Sequence, residues 1–102
     1  MDELICSHRD EIAAFCRKFR VRRLELFGSA AEGSFDPATS DVDFLVEFPP
    51  LPPSEHADSY FGLLFALQDL LGRDVDLVET SAIRNPYFLR AIALQRTLLY
   101  AA

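Results

Sequence analysis

Two strand-like runs, Leu24-Glu25-Leu26-Phe27 and Val42-Asp43-Phe44-Leu45-Val46, enclose Gly28-Ser29, an eleven-residue gap and Asp41. Both runs are rich in β-branched, aromatic or aliphatic residues. On a strand, residues two apart point to the same face, so Asp41 and Asp43 are expected to project together. Adjacent carboxylates repel each other unless a positive charge sits between them, and oxygen ligands on a rigid strand suit Mg²⁺. Gly28 permits a sharp turn out of the first strand. Ser29, at the start of a short helical turn, offers a hydroxyl and backbone N–H groups to an anion. A metal site and a phosphate cradle this close together suggest chemistry on a nucleoside triphosphate.

The flanking sequence predicts an α/β order. Residues 3–18 read as one amphipathic helix, with Leu4, Ile5, Ile12, Phe15, Cys16 and Phe19 near one stripe and His8 exposed among charged neighbours. The first strand is expected over Val21 to Phe27, followed by a short helical turn over Gly28–Glu32 that Gly33 stops. Ser34–Ser40 reads as a loop turned by Asp36-Pro37. The second strand is expected over Val42–Glu47. Phe48-Pro49-Pro50-Leu51-Pro52-Pro53 reads as a stiff connector, since proline excludes both helix interior and central strand. A helix from Ser54, as its cap, to Leu71 ends at Gly72. Its leucines 63, 64, 67, 70 and 71 form the main stripe, leaving Phe61 and Phe65 as an exposed ridge beside Gln68. Residues 73–79 predict a third strand on which Asp74 and Asp76 share a face. Asn85-Pro86 opens a last helix, with Leu89, Ile92 and Ala93 toward the core, and Thr97–Tyr100 adds a short strand. The loop between the first two strands is too short for a parallel crossover, so they are expected to pair antiparallel in a small mixed sheet.

The 102 residues fit a single domain, and an apolar fraction of 50% is enough to build a core. No run reaches the ~20 apolar residues of a membrane span. The acidic start Met1-Asp2-Glu3-Leu4 does not read as a signal peptide. Cys6 and Cys16, roughly 15 Å apart along one helix, cannot pair and read as buried small hydrophobes in a reduced, cytoplasmic setting. The formal charge of −6 argues against non-specific nucleic-acid binding. Arg17, Lys18, Arg20, Arg22 and Arg23 cluster nonetheless. They read either as cations at a helix C-terminus or as a basic lip beside the triphosphate site.

The stretches Phe27-Gly28-Ser29-Ala30-Ala31-Glu32-Gly33 and Ser40-Asp41-Val42-Asp43-Phe44-Leu45-Val46 resemble the polymerase-β-like nucleotidyltransferases, and among them the minimal nucleotidyltransferase (MNT) domains. The resemblance covers nearly the whole chain, residues 1–102, and implies one domain with the minimal nucleotidyltransferase fold. It implies Asp41, Asp43 and Asp76 as Mg²⁺ ligands and catalytic acids, Asp76 being chosen over Asp74 by its Val-Asp-Leu-Val setting. It places Gly28, Ser29 and Ser40 against ATP. It further implies an antitoxin that transfers AMP to a hydroxyl, a tyrosine, of a HEPN ribonuclease toxin, with a homo-oligomer as a further possible assembly. Ala30 and Glu32 stand where the family carries arginine. The alternative is therefore a weak or inactive relative that binds its partner without transfer. A third reading, transfer to a small molecule or to RNA, would need an acceptor domain that these residues do not supply.

Overall fold

The computed structural model describes residues 3–27, 42–80 and 97–102. The predicted turn at Gly28–Glu32, the loop at Ser34–Ser40 and the helix opened by Pro86, with Leu89, Ile92 and Ala93, lie outside the described residues. Helices α1 (Glu3–Ser7) and α2 (Arg9–Lys18) lead into strand β1 (Arg23–Phe27). Strand β2 (Val42–Glu47), helix α3 (Pro53–Leu71), strand β3 (Val75–Glu79) and strand β4 (Thr97–Ala101) follow. The architecture is α/β. The mixed four-stranded sheet has the order β3-β2-β1-β4, with β1 antiparallel to β2 and β4, and β2 parallel to β3.

Period-two alternation assigns the faces. Leu24 and Leu26, Val42, Phe44 and Val46, and Val75 and Leu77 turn to one side, where they join Ile5, Ile12, Cys16, Leu63, Leu67 and Leu71 in a single core. Among the described residues Phe44, on the inner strand β2, is the largest side chain that is fully buried. The pairing of β4 with β1 slips at Leu24/Glu25, a bulge beside Leu99, which is buried while its neighbour Leu98 is exposed.

Several local expectations change. The first helix is two helices, broken at His8, whose backbone departs from helical geometry and whose ring pairs with Glu11 at 3.2 Å. His8 is half-buried by this contact rather than freely solvated. Cys6 is exposed, not buried; only Cys16 is in the core, and both are free thiols. Burial pushes the Cys16 thiol up to about 12, with Arg17 pulling weakly the other way. β1 begins at Arg23 and β3 at Val75, each two residues later than predicted. α3 begins at Pro53, with Pro52 in the cap position and Ser54 already helical, because proline fits the first turn, where its missing N–H has no intrahelical acceptor.

Both remaining helix ends close through left-handed residues. Gly72 (φ 64°) ends α3, its N–H donating to the Gln68 carbonyl at 2.8 Å. α2 ends with Arg20 at φ 61°, where Val21 N–H donates to Cys16 C=O at 2.8 Å and Arg20 N–H to Arg17 C=O at 3.4 Å. This is a Schellman closure with arginine where glycine is usual. Arg20 also reaches Glu55 across the interface with α3 at 3.5 Å.

At Gly62 the ring of Phe19, which follows α2, lies against the backbone of α3. A Cβ there would run into the Phe19 ring, so the helix accepts glycine's propensity cost to seat that ring. Gly62→Ala should therefore destabilise the fold in urea unfolding, where helix propensity alone predicts a gain of about 1 kcal/mol. A native-state thiol titration should modify Cys6 rapidly and Cys16 only on unfolding, since Cys16 is both enclosed and un-ionised.

Candidate active site

The site is built where β2 and β3 run side by side. Their parallel register sets Val42 opposite Val75, Asp43 opposite Asp76 and Phe44 opposite Leu77. On the other flank Asp43 faces Phe27, the last residue of β1. The valines and Phe44 point into the helix-covered core, so Asp43 and Asp76 point together to the opposite face, with backbones about 4.8 Å apart. Asp43 is half-buried and Asp76 exposed. Among the described residues no cation lies within ion-pair distance of Asp76. Two carboxylates this close repel by on the order of 1 kcal/mol even in water.

The donor chemistry fits a hard divalent cation. Mg²⁺ takes one or two carboxylates and completes its shell with water and phosphate oxygens. Among the described residues no three metal-ligating side chains converge. Asp41, Gly28, Ser29 and Ser40 lie outside the described residues. Asp74 precedes β3, and its backbone carbonyl accepts the Val42 N–H at 3.2 Å, tying down the strand start beside the acid pair.

The basic cluster is elsewhere. Arg23 pairs in register with Glu47, four residues along β1 from the Phe27–Asp43 pair, or about 13 Å. Arg22 approaches Glu47 at 3.8 Å, and Arg23 Nε donates to Glu25 at 2.8 Å. These arginines balance acids at the far end of the sheet and do not form a lip beside Asp43, correcting that reading. Glu25 is only 7% exposed, which explains why it keeps a cation so close.

Sequence reasoning did not single out Tyr60 or the His56–Glu79 pair. The Tyr60 hydroxyl donates to the Leu77 carbonyl at 2.6 Å, capping the outer edge of β3. Its phenol is pushed above the usual range by burial first, then by Glu79 and Asp76. His56 Nε2 hydrogen-bonds Glu79 Oε1, and Phe48 tilts against the imidazole with ring centres 5.3 Å apart. Only folding joins α3 to the β3 edge, so no local motif announces these contacts. The predicted ridge is present: Phe61 and Phe65 are 51% and 59% exposed. Among the described residues no helix is long and apolar enough to cross a membrane.

The sequence matches the nucleotidyltransferase domain family over residues 9–99. It is 41% identical over 75 residues to a candidate protein adenylyltransferase of Methanocaldococcus jannaschii, covering 74% of this chain and 72% of the relative. Its fold is similar to a solved candidate minimal nucleotidyltransferase, with TM-score 0.73, 29% identity and 95% of each chain covered. It is also similar to a chain in the complex of a tri-AMPylated Shewanella oneidensis HEPN toxin with an MNT antitoxin. There the TM-score is 0.65 at 20% identity, over 95% of this chain and 72% of that one.

The acid pair makes a prediction that needs no substrate. Without divalent ions, Asp76→Asn should melt at or slightly above the wild-type temperature, because its like-charge repulsion with Asp43 is relieved. Millimolar Mg²⁺ should raise the wild-type melting temperature and leave Asp43→Asn unmoved.

Proposed function

Because the chain belongs to the nucleotidyltransferase domain family, we propose that it transfers AMP from ATP to a hydroxyl of a partner protein. We read residues 1–102 as one catalytic domain and the partner as a HEPN toxin, neutralised by modification of a tyrosine. The observation that carries this reading is the register pairing of Asp43 with Asp76, two acids on one sheet face beside the end of β1. The relatives support the chemistry. One is named a candidate protein adenylyltransferase, and another sits in a complex whose HEPN toxin carries AMP groups. The two free thiols suit a reducing cytoplasm.

In this reading Gly28, Ser29 and Ser40 bind the triphosphate and aim its α-phosphorus at the acceptor. Asp41, Asp43 and Asp76 would hold Mg²⁺, which when bound offsets phosphate charge and lowers the pKa of the attacking hydroxyl. Asp76, on the edge strand and exposed, takes the hydroxyl proton as general base. The acceptor oxygen bonds to the α-phosphorus as the bond to pyrophosphate breaks in line. Half-buried Asp43 keeps its carboxylate fixed against the sheet while Asp76 meets the incoming partner.

A second reading, binding without transfer, draws on Ala30 and Glu32 in place of the family's arginine. Mass spectrometry of a HEPN partner after incubation with ATP and Mg²⁺ separates the two, because only transfer adds AMP. Asp43→Asn and Asp76→Ala should lower the transfer rate by at least about 100-fold, some 2.7 kcal/mol of barrier, and Asp74→Ala should keep most of it. Full transfer by folded Asp43→Asn would remove the proposed role of the acid pair, and loss in Asp74→Ala alone would move the third acid.

A further inference from the structure

Helix α3 has a second face that the sheet does not use. Ser54, Asp58, Phe61, Phe65 and Asp69 recur every three or four residues and are all exposed. The rings of Phe61 and Phe65 stack with centres 6.2 Å apart at 27°, and Tyr60 meets Phe61 edge-on at 5.1 Å. Beside the ridge runs a groove of about 550 Å³ walled by Leu51, Pro53, Tyr60 and Phe61, with His56 and Glu79 as its polar wall. Two adjacent exposed phenylalanines next to a concave apolar wall have the form of an interface anchor.

The charges around this surface narrow what fits it. Asp58 and Asp69 flank the two phenylalanines along the stripe, and Glu79, hydrogen-bonded to His56, lines the groove. Among the described residues no lysine or arginine lines the groove. Lys18 and Arg20 approach from the α2 side, where they share a cleft with Glu55 and Asp58, and Arg20 is already paired with Glu55. A second copy docking by two-fold symmetry about the midpoint of Phe61 and Phe65 would set Asp58 of each chain against Asp69 of the other. Both chains would carry a formal charge of −6. Like charges facing each other at a contact oppose that assembly.

We propose that the Phe61–Phe65 ridge and its groove dock a different protein through a basic amphipathic segment, with an apolar anchor in the groove and lysine or arginine against Asp58, Asp69 and Glu79. The inference rests on the partner reading above and adds the surface and its chemistry. Tyr60 ties this surface to β3 through its hydrogen bond to the Leu77 carbonyl.

The test uses the full chain and two helical peptides, one of leucine and lysine, the other with glutamate for each lysine. Binding is measured by fluorescence anisotropy and mapped by amide hydrogen exchange. The lysine peptide should bind at least about tenfold more tightly than the glutamate peptide, a difference of about 1.4 kcal/mol. It should protect amides of residues 54–71. Phe61→Ser/Phe65→Ser, and the milder Phe61→Gln/Phe65→Gln, should each lose about tenfold or more of that affinity, and Asp58→Asn/Asp69→Asn should lose part of it together with its salt dependence. Unchanged affinity in the phenylalanine variants, or protection elsewhere, overturns the proposal. So does unfolding of both phenylalanine variants, which would make the ridge core. A wild-type dimer in sedimentation that these variants dissociate would assign the ridge to a second copy and also overturn it. Transfer of AMP to protein is measured separately, so loss of docking with transfer intact defeats this inference alone, and the converse defeats only the proposed function.

Discussion

The parallel pairing of β2 with β3 is the constraint on which the rest depends. Parallel neighbours need a long connection that returns the chain to the same end of the sheet. Here the proline-rich segment after Glu47 and the 19-residue helix α3 supply it. Pro52, at φ −56° and ψ 149°, keeps the connector extended until Pro53 starts the helix. α3 then lays Leu63, Leu67 and Leu71 on Val42, Phe44, Val46, Val75 and Leu77, each leucine contributing about 2 kcal/mol of burial. Because side chains alternate along a strand, the register that buries these residues also sets Asp43 beside Asp76 on the opposite face. A slip of one residue would put an acid in the core, so the packing of one face fixes the geometry of the other.

α3 reconciles several demands along its length. Its leucine stripe closes the core, Gly62 lets Phe19 lie against its backbone, and Tyr60 shields an edge carbonyl of β3. Edge strands expose unpaired polar groups that invite further strands, and a phenol hydrogen-bonded to Leu77 blunts that tendency. The remaining exposed face carries the two phenylalanines. Its apolar character has no role in the described core, which is why it stands out from ordinary scattered surface hydrophobes.

Charge is arranged along the sheet as well as across it. At the Phe27 end of β1 lies the pair Asp43 and Asp76. At the Arg23 end, Arg22 and Arg23 lie against Glu47 and Glu25. The chain thus satisfies its acids with nearby cations at one end and leaves exposed Asp76 without a cation among the described residues at the other. An exposed acid held in register beside a second carboxylate suits a site that meets a cation from solution.

Local sequence determined much of the secondary structure. The bounds of β2, the stop of α3 at Gly72, the leucine stripe, the exposed phenylalanines and the final strand at Thr97 all follow from periodicity and turn chemistry within a few residues. The mixed sheet followed from a loop too short for a crossover. Tertiary structure decided the rest. The break at His8 separates two helices that one apolar stripe had joined. The exposure of Cys6, the arginine in a left-handed cap and the proline start of α3 depend on what each residue meets after folding. The strand register decided which acid lies next to Asp43, since Asp74 and Asp76 share a phase in sequence. It also put the arginines at the far end of the sheet, although they precede Gly28-Ser29 by only a few residues. A strand advances about 3.3 Å per residue, so neighbours in sequence become distant in space while residues on separate strands become neighbours. Periodicity tells which way a side chain faces, and only pairing between strands tells what it faces.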